Sequence, residues 1–169
     1  DEAIAEYRKA LALDARNADA HNNLGAALAT QNKFDEAIRH YGTSLELNPN
    51  NSAAYNNLGA ALANTGRLDE AVGRFRDAVR IKNNYGAAHV NLGIALASQR
   101  RFDEAIAHFR TAIQIDDQNG AAHAQLAETL AQSGRYDPAQ LRRVLEANRH
   151  NADTDQAHSL AKLSLRQPR

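Results

Sequence analysis

Residues 55–62, Tyr55-Asn56-Asn57-Leu58-Gly59-Ala60-Ala61-Leu62, decide the fold. The Leu-Gly pair at their centre recurs every 34 residues, as Leu24-Gly25 before it and Leu92-Gly93 after it. Leu126-Ala127 and Leu160-Ala161 continue the series. The Tyr55 slot is filled elsewhere by His21, His89 and His123, and the Leu62 slot by Leu28, Leu96 and Leu130. The spacing of His21, Leu24, Gly25 and Leu28 is i, i+3, i+4, i+7, which is one face of a helix. A period of this length carrying helical spacing is the signature of a stacked repeat protein.

Each unit contains a second helix. Ala37, Ala71, Ala105 and Ala139 share a slot, with Tyr41, Phe75 and Phe109 four residues on. Ser44 follows on the same face, where later units place Ala78 and Ala112, and Leu45 comes next. Thr65-Gly66 and Ser133-Gly134 mark the turn between helices, with Asn32 in the glycine slot; both residue types tolerate the left-handed conformation that ends a helix. Arg100 occupies that slot in the third unit and predicts a strained or differently shaped turn. Asp35-Glu36, Asp69-Glu70 and Asp103-Glu104 open the second helices, where acidic groups complement the positive end of the dipole. Leu47-Asn48-Pro49-Asn50, Asn83-Asn84 and Asp116-Asp117 break the chain between units. A mid-helix glycine costs roughly 1 kcal/mol relative to alanine. Gly25, Gly59 and Gly93 therefore need a packing reason, and a close small-against-small approach of Ala37, Ala71 and Ala105 is expected.

The resulting organisation is a single array over residues 1–169. A second helix without its first occupies 1–17, full repeats cover 18–51, 52–85, 86–119 and 120–153, and a capping helix with a tail fills 154–169. In the fourth repeat Pro138 reads as a one-residue insertion and Arg143 falls where an aromatic belongs; a shifted register places Leu141, Val144 and Ala147 on an apolar face. Leu160 and Leu163 give the final helix one apolar side, as a solenoid cap requires. Ile4, Tyr7 and Leu11 at the other end await a partner. More repeats upstream are the expected explanation, and self-association through this N-terminal edge is the alternative.

Composition narrows the function classes. The chain carries 20 basic and 20 acidic residues, so no net field would draw in nucleic acid or an anionic membrane. Cysteine is absent, which removes disulfides, thiolate metal sites and thiol nucleophiles. It also leaves the compartment open; a soluble chain is expected, with the cytoplasm slightly favoured. No apolar run approaches the roughly 18 residues that span a bilayer. His21, His89 and His123 recur once per unit in a packing slot, and His40 and His108 recur on the second helix, so these histidines read as core rather than metal ligands. The Asp-Glu pairs read as helix starts, not acid–base dyads. Arg74, Arg76 and Arg80 read as a solvated face. No glycine-rich phosphate loop is present. Neither cofactor, metal nor catalytic residues are expected, and the chain is not expected to be an enzyme.

With its Leu-Gly, Ala and aromatic slots on a 34-residue period, the sequence resembles the tetratricopeptide repeat (TPR) family along its whole length. The resemblance implies an all-α fold, a right-handed α-α superhelix (TPR solenoid), in which the first helix of every hairpin lines a concave groove. The groove slots hold Asn23, Asn57, Asn91 and Gln125; Asn22 and Asn56; then Ala26, Ala60, Ile94 and Glu128; and finally Thr30, Asn64, Ser98 and Gln132. The column of amides is similar to that of the O-GlcNAc transferase TPR domain. Each amide offers a donor and an acceptor and can pair with a peptide backbone. The expected function is a scaffold that binds an extended segment of a partner protein or peptide. The expected site is Asn22, Asn23, Asn56, Asn57, Asn64, Asn91, Ile94, Ser98, Gln125 and Glu128. A carboxylate clamp, another use of this family, needs cations where Asn22, Ala87 and Asn91 stand. The alternatives are the partner-recruiting domain of a larger, glycosyltransferase-like enzyme and a self-assembling scaffold.

Overall fold

The computed structural model describes residues 2–134. The shifted register after Pro138 and the closing helix near the C-terminus lie outside the described residues. Eight α-helices and no strand occupy them: α1 (Glu2–Leu13), α2 (Ala18–Thr30), α3 (Phe34–Leu47), α4 (Ser52–Asn64), α5 (Leu68–Ile81), α6 (Gly86–Ser98), α7 (Phe102–Ile115) and α8 (Gly120–Ser133). The fold is all-α. Two compact units divide the chain, Asp1–Asn83 and Asn84–Arg169.

In the first unit α2 pairs with α3 and α4 with α5, while α1 packs on α2, α3 on α4, and α2 on α4. In the second unit α6 pairs with α7, and α8 touches both. The repeated leucines do the work that their spacing predicts. Leu24, Leu28, Leu92 and Leu96 are at most 1% exposed, and full burial of such a side chain contributes about 1.5–3 kcal/mol. Ile4 is also buried at 7%; Tyr7 and Leu11 are half-buried. Only Leu13, at 91%, is an exposed large apolar side chain of α1. The edge expected to lack a partner thus turns much of its apolar face onto α2.

Helix boundaries follow from local chemistry. Asn17, Asn51 and Asn119 share the slot before a first helix, and each side-chain oxygen accepts the N–H three residues on, from Ala20, Ala54 and Ala122 at 2.9–3.0 Å. Such a cap stabilises a helix by about 1 kcal/mol. Tyr85 fills the slot before α6 and makes no side-chain cap. The second helices start without a cap, on Lys33, Arg67 and Arg101. Their Asp-Glu pairs lie in the first turn as expected. Arg67 grips Glu70 by donating from Nε and Nη2 to the two carboxylate oxygens at 2.7 and 2.8 Å, and Arg101 grips Glu104 in the same way. The Arg67 hydrogen bonds hold the Glu70 carboxyl below the usual carboxylate range.

A left-handed residue follows each first helix, with φ of 59° at Asn32, 79° at Gly66, 61° at Arg100 and 65° at Gly134. Arg100 therefore adopts the shared turn rather than a different one. The closing bond is also shared: the N–H of Lys33, Arg67 and Arg101 reaches back to Leu28, Leu62 and Leu96 at 2.9–3.0 Å, the six-to-one bond of a Schellman motif. Strain of about 1–2 kcal/mol is the cost of a side chain at that φ.

The three glycines have a different neighbour from the one expected. A Cβ on Gly25 would lie 2.7 Å from the Tyr41 ring, one on Gly59 2.7 Å from Phe75, and one on Gly93 2.5 Å from Phe109. The missing side chain makes room for the aromatic of the paired helix, not for Ala37, Ala71 or Ala105. Those alanines are fully buried in their own right. Tyr41 is the polar member of the ring series, and burial pushes its hydroxyl up to about 12.

Ser44 is fully buried and its hydroxyl finds no partner among the described residues. Its slot holds Ala78 and Ala112 in the next two repeats. Leaving a buried hydroxyl unpaired costs about 1–3 kcal/mol. Ser44→Ala should therefore raise the denaturant midpoint by roughly 1 kcal/mol of stability, read by urea titration followed by circular dichroism; a lower midpoint would show that the hydroxyl is satisfied.

Candidate functional site

The amide slots fall on the first helices, and in the first unit they are joined. Asn57 on α4 donates through Nδ2 to Oδ1 of Asn22 on α2 at 3.1 Å. Asn22 Nδ2 in turn donates to Oδ1 of Asn23 at 3.3 Å. The contact exists because α2 and α4 touch, so side chains one repeat apart come within reach. The chain of amides uses one donor and one acceptor from its middle member. Among the described residues it leaves the Nδ2 group of exposed Asn23 and the Oδ1 of half-buried Asn57 unpaired. A donor and an acceptor are what a peptide unit requires. Asn56, beside them, is 8% exposed, and so offers little surface to a ligand. Asn64 is exposed at the end of α4 and donates back to Ala60 O at 2.9 Å.

The second unit gathers four of the expected residues into one place. Ile94 and Ser98 on α6, with Gln125 and Glu128 on α8, line an open recess of about 610 Å³. Sequence reasoning missed four further lining groups, Ala97, Arg100, Phe102 and Thr129. The Arg100 guanidinium stands 5.7 Å from the Phe102 ring centroid. Arg100 comes from the α6–α7 turn and Phe102 opens α7; the arginine in the left-handed slot was the available signal. Ile94 is 39% exposed, so the recess has an apolar wall. Glu128 accepts from Gln132 Nε2 at 3.1 Å, and Ser98 Oγ donates to Ile94 O at 3.0 Å. Asn91 is half-buried on α6. The recess therefore combines an apolar wall, two amides, a carboxylate and a guanidinium.

Among the described residues no group of three or more His, Cys, Asp or Glu converges as metal ligands would. No described helix is long and apolar enough to cross a membrane.

Paired antiparallel helices, repeated at a fixed period and joined by left-handed turns, define a helical-hairpin repeat protein. Family models described as "Tetratricopeptide repeat" match residues 18–51, 50–118 and 96–163, and one described as "TPR repeat" matches 1–32. The chain belongs to the tetratricopeptide repeat family. Arrays of this family are typically non-enzymatic scaffolds for protein–protein interaction. No curated protein matches the sequence as a relative. Among solved structures, the chain is similar to YrrB, described as "a TPR protein with an unusual peptide-binding site", with 23% identity and a TM-score of 0.77 over 94% of this chain and 81% of that one. It is also similar to pilF of Pseudomonas aeruginosa, with 22% identity and a TM-score of 0.81 over 93% of this chain and 73% of that one. A MamA fragment from Desulfovibrio magneticus RS-1 aligns with 19% identity and a TM-score of 0.78, over 90% and 87% of the two chains. At these identities the likeness concerns the fold.

Proposed function

We propose that the chain is an interaction scaffold that captures an extended segment of a partner polypeptide on the first-helix face of each unit. The observation that carries this reading is the amide chain from Asn57 through Asn22 to Asn23, with a donor at one end and an acceptor at the other that are unpaired among the described residues. An amide pair of this kind engages backbone N–H and C=O groups with little regard to the side chains between them. In the second unit the recess lined by Ile94, Ser98, Gln125 and Glu128 takes side chains of the bound segment, while Asn91 extends the amide series. A peptide-binding site in the similar YrrB is consistent with this use of the fold. The ligand is a protein or peptide rather than nucleic acid, since the balanced net charge supplies no long-range pull on a phosphate backbone. The chain performs no chemistry on it.

The test uses peptides selected against the purified chain from a random display library. Their affinity is measured by fluorescence anisotropy for the native protein and for the variant carrying Asn23→Ala, Asn57→Ala and Asn91→Ala. Each amide–backbone hydrogen bond contributes about 0.5–1.5 kcal/mol net, so the variant should bind about tenfold weaker or worse, with helicity intact by circular dichroism. Undiminished affinity in a folded variant removes the amides from the account.

A further inference from the structure

Histidines pair across two of the hairpins. His21 on α2 meets His40 on α3 with their Nδ1 atoms 3.0 Å apart, and His89 on α6 meets His108 on α7 at the same distance. The ring centroids are 5.3 and 5.2 Å apart. That separation exceeds the nitrogen separation by about two ring radii, so the two nitrogens lie between the rings with their lone-pair directions facing. This is the arrangement of one shared proton. A metal ion of tetrahedral habit needs lone pairs converging on a third point instead.

The proton can be placed in the first pair. His21 Nε2 lies 3.3 Å from the Ala15 carbonyl, which can only accept, so Nε2 carries the hydrogen. In the neutral ring Nδ1 is then the acceptor, and His40 Nδ1–H is the donor. Protonating one imidazole leaves this bond in place, because a cationic donor still donates. Protonating both sets N–H against N–H and breaks it. The hairpin between these two is the internal comparison: its corresponding slots hold Tyr55 and Arg74, with the guanidinium 6.0 Å from the ring centroid. That pairing contains no imidazole.

We infer that the His21–His40 contact is an acid-released latch between α2 and α3, and that His89–His108 repeats the device between α6 and α7. The surroundings of the first pair agree. Burial lowers the His40 pKa most, followed by His21 itself, then Arg39 on its own helix; Arg8 from α1 adds a smaller lowering, and Glu36 opposes them. Helix α4, which also packs on α3, carries no acidic, basic or histidine side chain. A histidine whose pKa is lowered on folding contributes stability that is fully present above its ordinary value of about 6.5. That stability is lost as the pH falls through the lower, folded value. Opening the latch removes one tie between α3 and α2, the helix that carries Asn22 and Asn23.

The experiment replaces each pair with the one that the middle hairpin already uses, giving His21→Tyr, His40→Arg, His89→Tyr and His108→Arg in one chain. Melting temperatures of native protein and variant are compared at about pH 7.5 and about pH 5. The native protein should lose at least about 3 °C more than the variant over this interval; equal losses overturn the inference. The imidazole signals of the native chain, followed by NMR over the same interval, provide the second reading and need no variant. A coupled titration, with the second proton of the His21–His40 pair bound well below the ordinary value, supports the latch. Two independent, ordinary midpoints overturn it.

Discussion

Replacing Phe109 with alanine is expected to cost roughly 3–5 kcal/mol, the largest loss for a single truncation in the second unit. Phe109 is fully buried, and its ring lies over the bare backbone of Gly93 on the paired helix. The cost of a cavity depends on how well its walls can collapse. Here one wall is a helix backbone without a side chain that could swing into the space, so relaxation is poor. Stability of a repeat array is close to a sum of unit and neighbour terms. The loss should therefore appear first as faster hydrogen exchange in α6 and α7, with α2 to α5 less affected. Urea titration of the variant reads the total, and a loss under about 1 kcal/mol would mean that the ring is not the joint of this hairpin.

Gly93→Ala tests the same joint from the other side, and two effects of opposite sign compete. Alanine is the better helix former by roughly 1 kcal/mol. Its Cβ, however, would stand 2.5 Å from the Phe109 ring, and forcing a buried ring aside costs about 1–3 kcal/mol. The ring has no free space to enter, so the clash wins and the variant should be destabilised by about 2 kcal/mol. Two comparisons make the prediction sharp. Gly73→Ala, also in a helix, should stabilise, because a Cβ there meets nothing within 4 Å. Adding Phe109→Leu to Gly93→Ala should recover part of the loss by shortening the opposing side chain. A stabilised Gly93→Ala would contradict the packing account.

The glycine slots also show how far the sequence could be read. A 34-residue period fixes which face of each helix is buried, and Leu28, Leu96 and Ala105 are buried accordingly. The period does not say which residue on the paired helix fills a given hole. Small-against-small packing and ring-over-glycine packing leave the same mark in the sequence, and the second is what the chain uses. The histidine pairs were hidden for a related reason. His21 and His40 each repeat at the right interval, but they belong to different helices, and their contact depends on the rotation of one helix against the other. The amide chain was partly legible: Asn22, Asn23 and Asn57 stand in repeated slots of the first helices, whereas their mutual hydrogen bonds required the approach of α2 to α4. Arg100 could be seen to break the turn pattern, but its place beside Ile94 and Gln125 follows only from how α6 and α8 meet.

Peptide capture by the first helices is tested most directly by the side-chain NH2 signals of the amides themselves. In a titration of the isotope-labelled chain with a display-selected peptide, the Asn23 and Asn57 signals of the first unit and the Asn91 and Gln125 signals of the second should shift and saturate together. Saturable shifts confined to α3, α5 and α7, with those four signals unmoved, would place the ligand on the second helices and contradict the account.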